Sequence, residues 1–137
     1  YLNGVQINVS RQQSVEFSVL GFDMGYNEAM ARYALEMMVK LWPRMQTIRI
    51  MGSAALGLAY VASGRLDLYF HHALAPWDLM SGLILVTEAG GVVTTGNGDP
   101  ITFSSETVIA SNKPIHADFL EKTNGSEWRL MLRNSSH

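Results

Sequence analysis

The hydrophobic period of this chain switches repeatedly between two residues and 3.6, with glycine or proline at most of the changes. That alternation restricts the fold more than any other feature. Strand-length apolar runs separated by helix-length ones predict a layered α/β domain, with helices packed on a central mixed sheet. Asn3-Gly4 predicts a type I′ turn, because both residue types tolerate positive φ. Val5, Ile7 and Val9 then alternate with polar residues, as in a strand with one buried face. Residues 15–20 alternate as a second strand that Gly21 ends. Across residues 27–42, Met30, Tyr33, Ala34, Met37, Met38 and Leu41 fall at helical spacing, with Asn27 as N-cap and Pro43 as stop. Further along lie a strand at 47–51, a helix at 53–63 capped by Ser53, and a strand at 66–70. Pro76 opens a helix that runs to about residue 89 and is apolar nearly all round, which predicts burial between layers. Strands at 92–95 and 107–110 flank a turn at 96–100, and a last helix covers 115–122. Residues 1–10 read as a strand whose hairpin partner lies upstream, 11–122 as the α/β domain, and 123–137 as a loosely held polar tail.

Composition removes several function classes. With 47% hydrophobic and 16% charged residues, the 137-residue chain is not of the disordered type. Ten Lys and Arg against 12 Asp and Glu give a net charge of −2 and no basic footprint for nucleic acid. No apolar run reaches the roughly 18 residues of a membrane span. The chain has no Cys, which excludes disulfides and thiolate metal sites and fits a cytoplasmic location.

Three places could carry chemistry. Asp78 sits in the first turn of the apolar helix, where free N–H groups and the helix dipole keep a carboxylate ionised. It could hold a hard cation such as Mg²⁺, or simply cap the helix. Gly52, Ser53 and Ala54 lie between a strand and a helix, a corner that either admits a polar ligand to the backbone or allows close helix–sheet packing. His71 and His72 are adjacent on a strand, so they face opposite ways and cannot share a metal; one is expected to face solvent and the other to line a pocket. Asp23 and Asp67 read as turn or surface acids.

Residues 77–91, Trp-Asp-Leu-Met-Ser-Gly-Leu-Ile-Leu-Val-Thr-Glu-Ala-Gly-Gly, resemble the C-terminal signature of the inositol monophosphatase family. Residues 52–56, Gly-Ser-Ala-Ala-Leu, and 61–67, Val-Ala-Ser-Gly-Arg-Leu-Asp, are similar to its upstream segment at the family's spacing. Tyr1-Leu2-Asn3-Gly4 is similar to the end of the family's N-terminal domain, and the likeness runs to about residue 122. The resemblance implies the C-terminal half of an α/β/α/β/α sandwich that hydrolyses phosphate monoesters with Mg²⁺. It implies that Asp78 binds metal and contacts substrate hydroxyls, while Gly52, Ser53 and Ala54 contact the sugar or inositol ring.

Two departures matter. Inositol-specific members carry a Glu seven residues before the motif Asp; this chain has His71, which points to a different polyol or a second phosphate. The family's Gly-Glu-Glu and Asp-Pro-Leu/Ile-Asp-Gly-Thr motifs, which carry its other metal carboxylates, do not occur in these 137 residues. The expected entity is therefore a substrate-side half that needs an N-terminal half for turnover, is inactive alone, and self-associates through an exposed apolar face. The alternative is a non-catalytic half-domain used for dimerisation or ligand binding.

Overall fold

Five short apolar runs build one mixed sheet in the computed structural model, which describes residues 3–135. The strands are β1 (Val19–Phe22), β2 (Thr47–Ile50), β3 (Leu68–His71), β4 (Val92–Thr94) and β5 (Val108–Ser111), in spatial order β2-β1-β3-β5-β4. β1 pairs in parallel with β2 and β3, and β5 runs antiparallel to both β3 and β4. Five helices accompany them: α1 (Glu28–Leu41), α2 (Ala54–Ala62), α3 (Pro76–Glu88), α4 (Lys113–Lys122) and α5 (Glu127–Ser135). A 3₁₀ turn at Trp42–Arg44 follows α1. No helix among the described residues is long and apolar enough to cross a membrane.

Side chains alternate across each strand, so the sheet feeds two cores. Leu20, Phe22, Leu68, Phe70 and Ile109 meet α1, α4 and α5 on one face. Tyr69, Val108 and Ala110 meet α2 and α3 on the other. Burial on both faces is complete at β3 and β5, whereas the edge strand β2 is half-buried to exposed. Side-chain caps hold three helices: Asn27 Oδ1 accepts from the Met30 N–H, Ser53 Oγ from Leu56 N–H, and Asn112 Oδ1 from Ile115 N–H, at 3.1, 3.2 and 2.9 Å.

Four expectations need correction. The turn at Asn3 and Gly4 is present, with φ of 52° and 79°, but no strand follows it. Residues 6–10 instead run past the end of α3, where the Val9 N–H donates to the Ala89 carbonyl at 3.0 Å and Ile7 and Val9 pack on the α2–α3 core. Tyr1 and Leu2, which lead into that turn, lie outside the described residues. Gly21 does not end β1; it lies inside the strand, because a Cβ there would come within 2.7 Å of Leu66 Cδ1. The strand starts only at Val19, after a turn in which Ser18 Oγ donates to the Val15 carbonyl and Phe17 takes a positive φ of 63°.

Helix α3 is not buried between layers. It inserts Leu79, Gly82 and Val86 against α2 and leaves Trp77 and Ile84 71% and 64% exposed. Gly82 sets that contact, since a Cβ would lie 2.2 Å from Leu58 Cδ1. The stretch after Thr123 is not a loose tail. It forms α5, whose Trp128 is fully buried with its ring 4.9 Å from that of Phe70. Its apolar residues recur at helical spacing (Trp128, Met131, Leu132), which supplies the buried stripe that a polar composition hides. The Arg129 guanidinium donates to the Leu120 carbonyl and Thr123 Oγ1, each at 3.1 Å, and ties α5 to α4.

Trp128→Ala should therefore cost about 3–5 kcal/mol of unfolding free energy in urea titrations. Trp42→Ala, at a 52% exposed position, should stay within about 0.5 kcal/mol of the parent. Equal small effects would show that α5 is dispensable.

Candidate functional site

The parallel strands β2, β1 and β3 deliver their carboxyl ends to one edge of the sheet. β1 leads into α1 on one face, and β3 leads into α3 on the other. The connections part there, and a crevice opens at such a point in open α/β sheets. Asp23 arrives from β1, Gly52–Ser53–Ala54 from β2, His71 and His72 from β3, and Asp78 from the first turn of α3.

Asp23 is the residue that the sequence pattern misplaces. It is neither a turn nor a surface acid but is 8% exposed. Its Oδ1 accepts from the Gly52 N–H at 2.6 Å and its Oδ2 from the Tyr69 hydroxyl at 2.7 Å. Burial, followed by this bond to Asp23, pushes the Tyr69 phenol far above its ordinary pKa, so it remains a donor. An acid directly after a buried parallel strand was the available signal.

Gly52 has a positive φ of 75°, and a Cβ placed on it would meet nothing within 4 Å. Its glycine serves the backbone turn, and the space beside it is open. Close helix–sheet packing falls instead to Gly57 in α2, where a Cβ would lie 2.4 Å from the Tyr69 ring. Ser53 caps α2 through Oγ, and Ala54 is half-buried at the same corner.

Neither histidine faces solvent; His71 and His72 are 7% and 8% exposed. Gly25, at a φ of 64°, lays the β1–α1 loop against both, with its Cβ position 3.2 Å from His72 Nε2 and 3.6 Å from His71 Cε1. The expectation that they face opposite ways does not hold: the rings meet edge to face with centroids 5.4 Å apart, because His72 lies just past the end of β3. His71 stands edge-on to Tyr69, and His72 accepts the Trp128 indole N–H at Nδ1 over 3.1 Å. Burial lowers both pKa values; the Asp23 charge partly opposes this at His71, and the neighbouring His71 adds to it at His72. His116 is lowered too, by burial and then by Arg129. His137 lies outside the described residues.

Asp78 is half-buried in the first turn of α3. It does not cap the helix: the N-cap position is Ala75, and no side-chain cap bond forms there. Its charge adds, least of the four causes, to the raised phenol pKa of Tyr69. The chemistry of the donors fits one ligand to a hard cation, since the Asp78 carboxylate accepts no hydrogen bond from the described residues. Asp23 is already committed to Gly52 and Tyr69. No group of three or more metal-ligating side chains occurs among the described residues.

A cavity of about 520 Å³ lies elsewhere. It opens where His72 points, and none of Gly52, Ser53, Ala54, His71 or Asp78 lines it.

Comparison with known proteins identifies the family and the fold. The model of the inositol monophosphatase family matches residues 1–128. The inositol-1-monophosphatase of Bacillus subtilis is 35% identical over 123 residues, which are 89% of this chain and 46% of that protein. The fructose-1,6-bisphosphatase/inositol-1-monophosphatase of Thermotoga maritima is 40% identical over 124 residues, 90% of this chain and 46% of the relative. The structure of the extragenic suppressor protein suhB from Bartonella henselae superposes with a TM-score of 0.83 at 30% identity, covering 91% of this chain and 48% of that one. The chain thus spans about half the length of the curated relatives it matches.

Two outcomes follow from the buried polar groups. Asp23→Ala strands the Gly52 N–H and the Tyr69 hydroxyl, and should cost about 1–3 kcal/mol in urea unfolding; adding Tyr69→Phe should recover part of that loss. Histidines whose folded pKa lies below the unfolded 6.5 stabilise fully above 6.5, and that stability is lost as pH falls from 6.5 toward the folded value. The urea midpoint should therefore drop on going from pH 7.5 to about 5.

Proposed function

This chain belongs to the inositol monophosphatase family, and from that premise we propose that it is the C-terminal, substrate-side half of a Mg²⁺-dependent phosphomonoesterase acting on a sugar or polyol phosphate. The observation that carries the reading is the Asp78 carboxylate, half-buried in the first turn of α3 and without a hydrogen bond from the described residues. The half-length match to whole phosphatases supports a second half that donates the remaining metal carboxylates. Residues 1–10 would be the trailing end of that half.

Bound Mg²⁺ would supply the Lewis-acid charge that activates water toward phosphorus. This chain's part is to bind and orient. Asp78 would give the metal one carboxylate oxygen and accept a hydrogen bond from a substrate hydroxyl. Gly52, with its own N–H held by Asp23, would turn the chain so that Ser53 and Ala54 wall the sugar ring. Ser53 Oγ takes the Leu56 N–H, and helix geometry leaves those of Ala54 and Ala55 without intrahelical partners, free to meet substrate oxygens. His71, kept neutral by burial, suits a ring hydroxyl better than a second phosphate. The Thermotoga maritima relative, whose name joins a sugar bisphosphatase to an inositol monophosphatase, fits such a substrate range.

Exposed Trp77, Ile84, Leu85 and Leu56 form the apolar surface on α2 and α3 that the other half would cover. The same surface also favours a second reading, a non-catalytic module that dimerises through α3. A reducing, cytoplasmic setting fits a chain without Cys in either case.

The chain alone should release no phosphate from inositol 1-phosphate or a sugar-phosphate panel with Mg²⁺ present. Supplying the N-terminal half of the Thermotoga maritima relative should restore release, and Asp78→Asn should then lower it at least about 100-fold. Full activity in the Asp78→Asn complex would favour the module reading.

A further inference from the structure

Helix α5 packs on the opposite side of the sheet from α2 and α3, yet a run of bonds joins it to the Gly52 corner. The Trp128 indole N–H donates to His72 Nδ1 over 3.1 Å, from a ring fully buried against Phe70. Nε2 of the same imidazole faces the β1–α1 loop, 3.2 Å from the Cβ position of Gly25, and the ring is hydrogen-bonded to the Met24 backbone. That bond favours the charged ring, so the backbone group is the acceptor and the imidazole the donor. His71 is bonded in the same sense one residue back, to the Asp23 backbone. The Met24 side chain packs on the core that contains Trp128. The adjacent Asp23 carboxylate reaches the other way, to the Gly52 N–H at 2.6 Å and the Tyr69 hydroxyl at 2.7 Å.

Packing on Phe70 needs only an aromatic ring at residue 128. What a tryptophan adds is one donor, and a buried indole N–H requires a partner. A neutral imidazole has one donor and one acceptor nitrogen. By taking the Trp128 proton at Nδ1, His72 is committed to carry its own proton on Nε2, where the loop needs a donor. The other tautomer would set an acceptor against the Met24 carbonyl and leave the indole facing a second N–H. Burial holds the ring neutral near pH 7, so the tautomer decides whether the loop is tied down.

We propose that Trp128 is a positioning residue for the Gly52 corner: by donating to His72 it fixes the imidazole that holds the β1–α1 loop and, through Asp23, the Gly52 N–H. Helix α5 thereby steadies a corner that belongs to the α2–α3 side. Calling that corner a substrate wall rests on the phosphatase reading. The coupling does not, and it is tested without turnover.

The test uses the ¹⁵N-labelled 137-residue chain. Long-range imidazole ¹⁵N–¹H spectra at about pH 7.5 should show His72 as the Nε2–H tautomer, with the Nδ1–H form appearing in Trp128→Phe. Hydrogen exchange at the Gly52 amide is read as a ratio to exchange at Val61 in α2, which cancels any change in global stability. The ratio should rise at least about tenfold in Trp128→Phe, as for the loss of one hydrogen bond. Phe119→Leu removes another ring packed on Phe70, 5.6 Å away, without touching His72, and should leave the ratio at the parent value. His72→Phe should raise the ratio as Trp128→Phe does, and His72→Gln, whose amide accepts and donates at once, should raise it less. An unaltered Nε2–H tautomer in Trp128→Phe, or a ratio raised as much by Phe119→Leu, would overturn the assignment. Were Trp128→Phe not to fold, equal ratios in His72→Phe and His72→Gln would overturn it as well.

Discussion

Burial of β3 on both faces is the constraint on which the rest of the structure depends. All four of its residues are shielded from water, Leu68 and Phe70 by one helical layer, Tyr69 by the other and His71 beneath the Gly25 loop. A strand covered on both sides must have partners along both edges, and β3 has β1 in parallel and β5 antiparallel. The parallel pairing sends the chain through α2 over one face; the antiparallel pairing brings β5 back from the β4 side. Because β3 cannot shift by one residue without exchanging its two cores, its register fixes the end of the strand, where the His71 and His72 rings meet edge to face at 5.4 Å.

The polar network at that end follows from the same burial. Tyr69 lies in the α2–α3 core with a hydroxyl that needs a partner, and Asp23 provides it. A carboxylate that leaves water needs donors in return, and Asp23 receives two, one of them the N–H of Gly52. Three strands are thereby joined through one side chain. The corner between β2 and α2 is held in place from beneath, while its outer side stays open. Rigid support under an open backbone corner is what a binding wall requires.

Helix α3 shows function pulling against solubility. Its inner stripe (Leu79, Gly82 and Val86) satisfies the fold, yet its outer face keeps Trp77, Ile84 and Leu85 in water. Packing within these residues does not account for that face. The same helix carries Asp78 in its first turn. On the opposite side of the sheet, α5 closes its apolar stripe completely over Phe70, so the two outer layers differ in how finished they are.

The sequence by itself determined the alternation of strands and helices, two of the three side-chain caps, the family, and the placement of Gly52, Ser53, Ala54 and Asp78 near helix starts, because these follow from periods and neighbours a few residues apart. It did not determine that α5 is core, since one fully buried Trp in a polar stretch counts little locally and a great deal once Phe70 lies beneath it. It did not separate Asp23 from an ordinary surface acid, because its partners Gly52 and Tyr69 are 29 and 46 residues away. Nor did it place both histidines under the Gly25 loop. Only tertiary structure decides such matters, because the burial and partners of a polar atom depend on chain segments that meet in space and are distant in sequence.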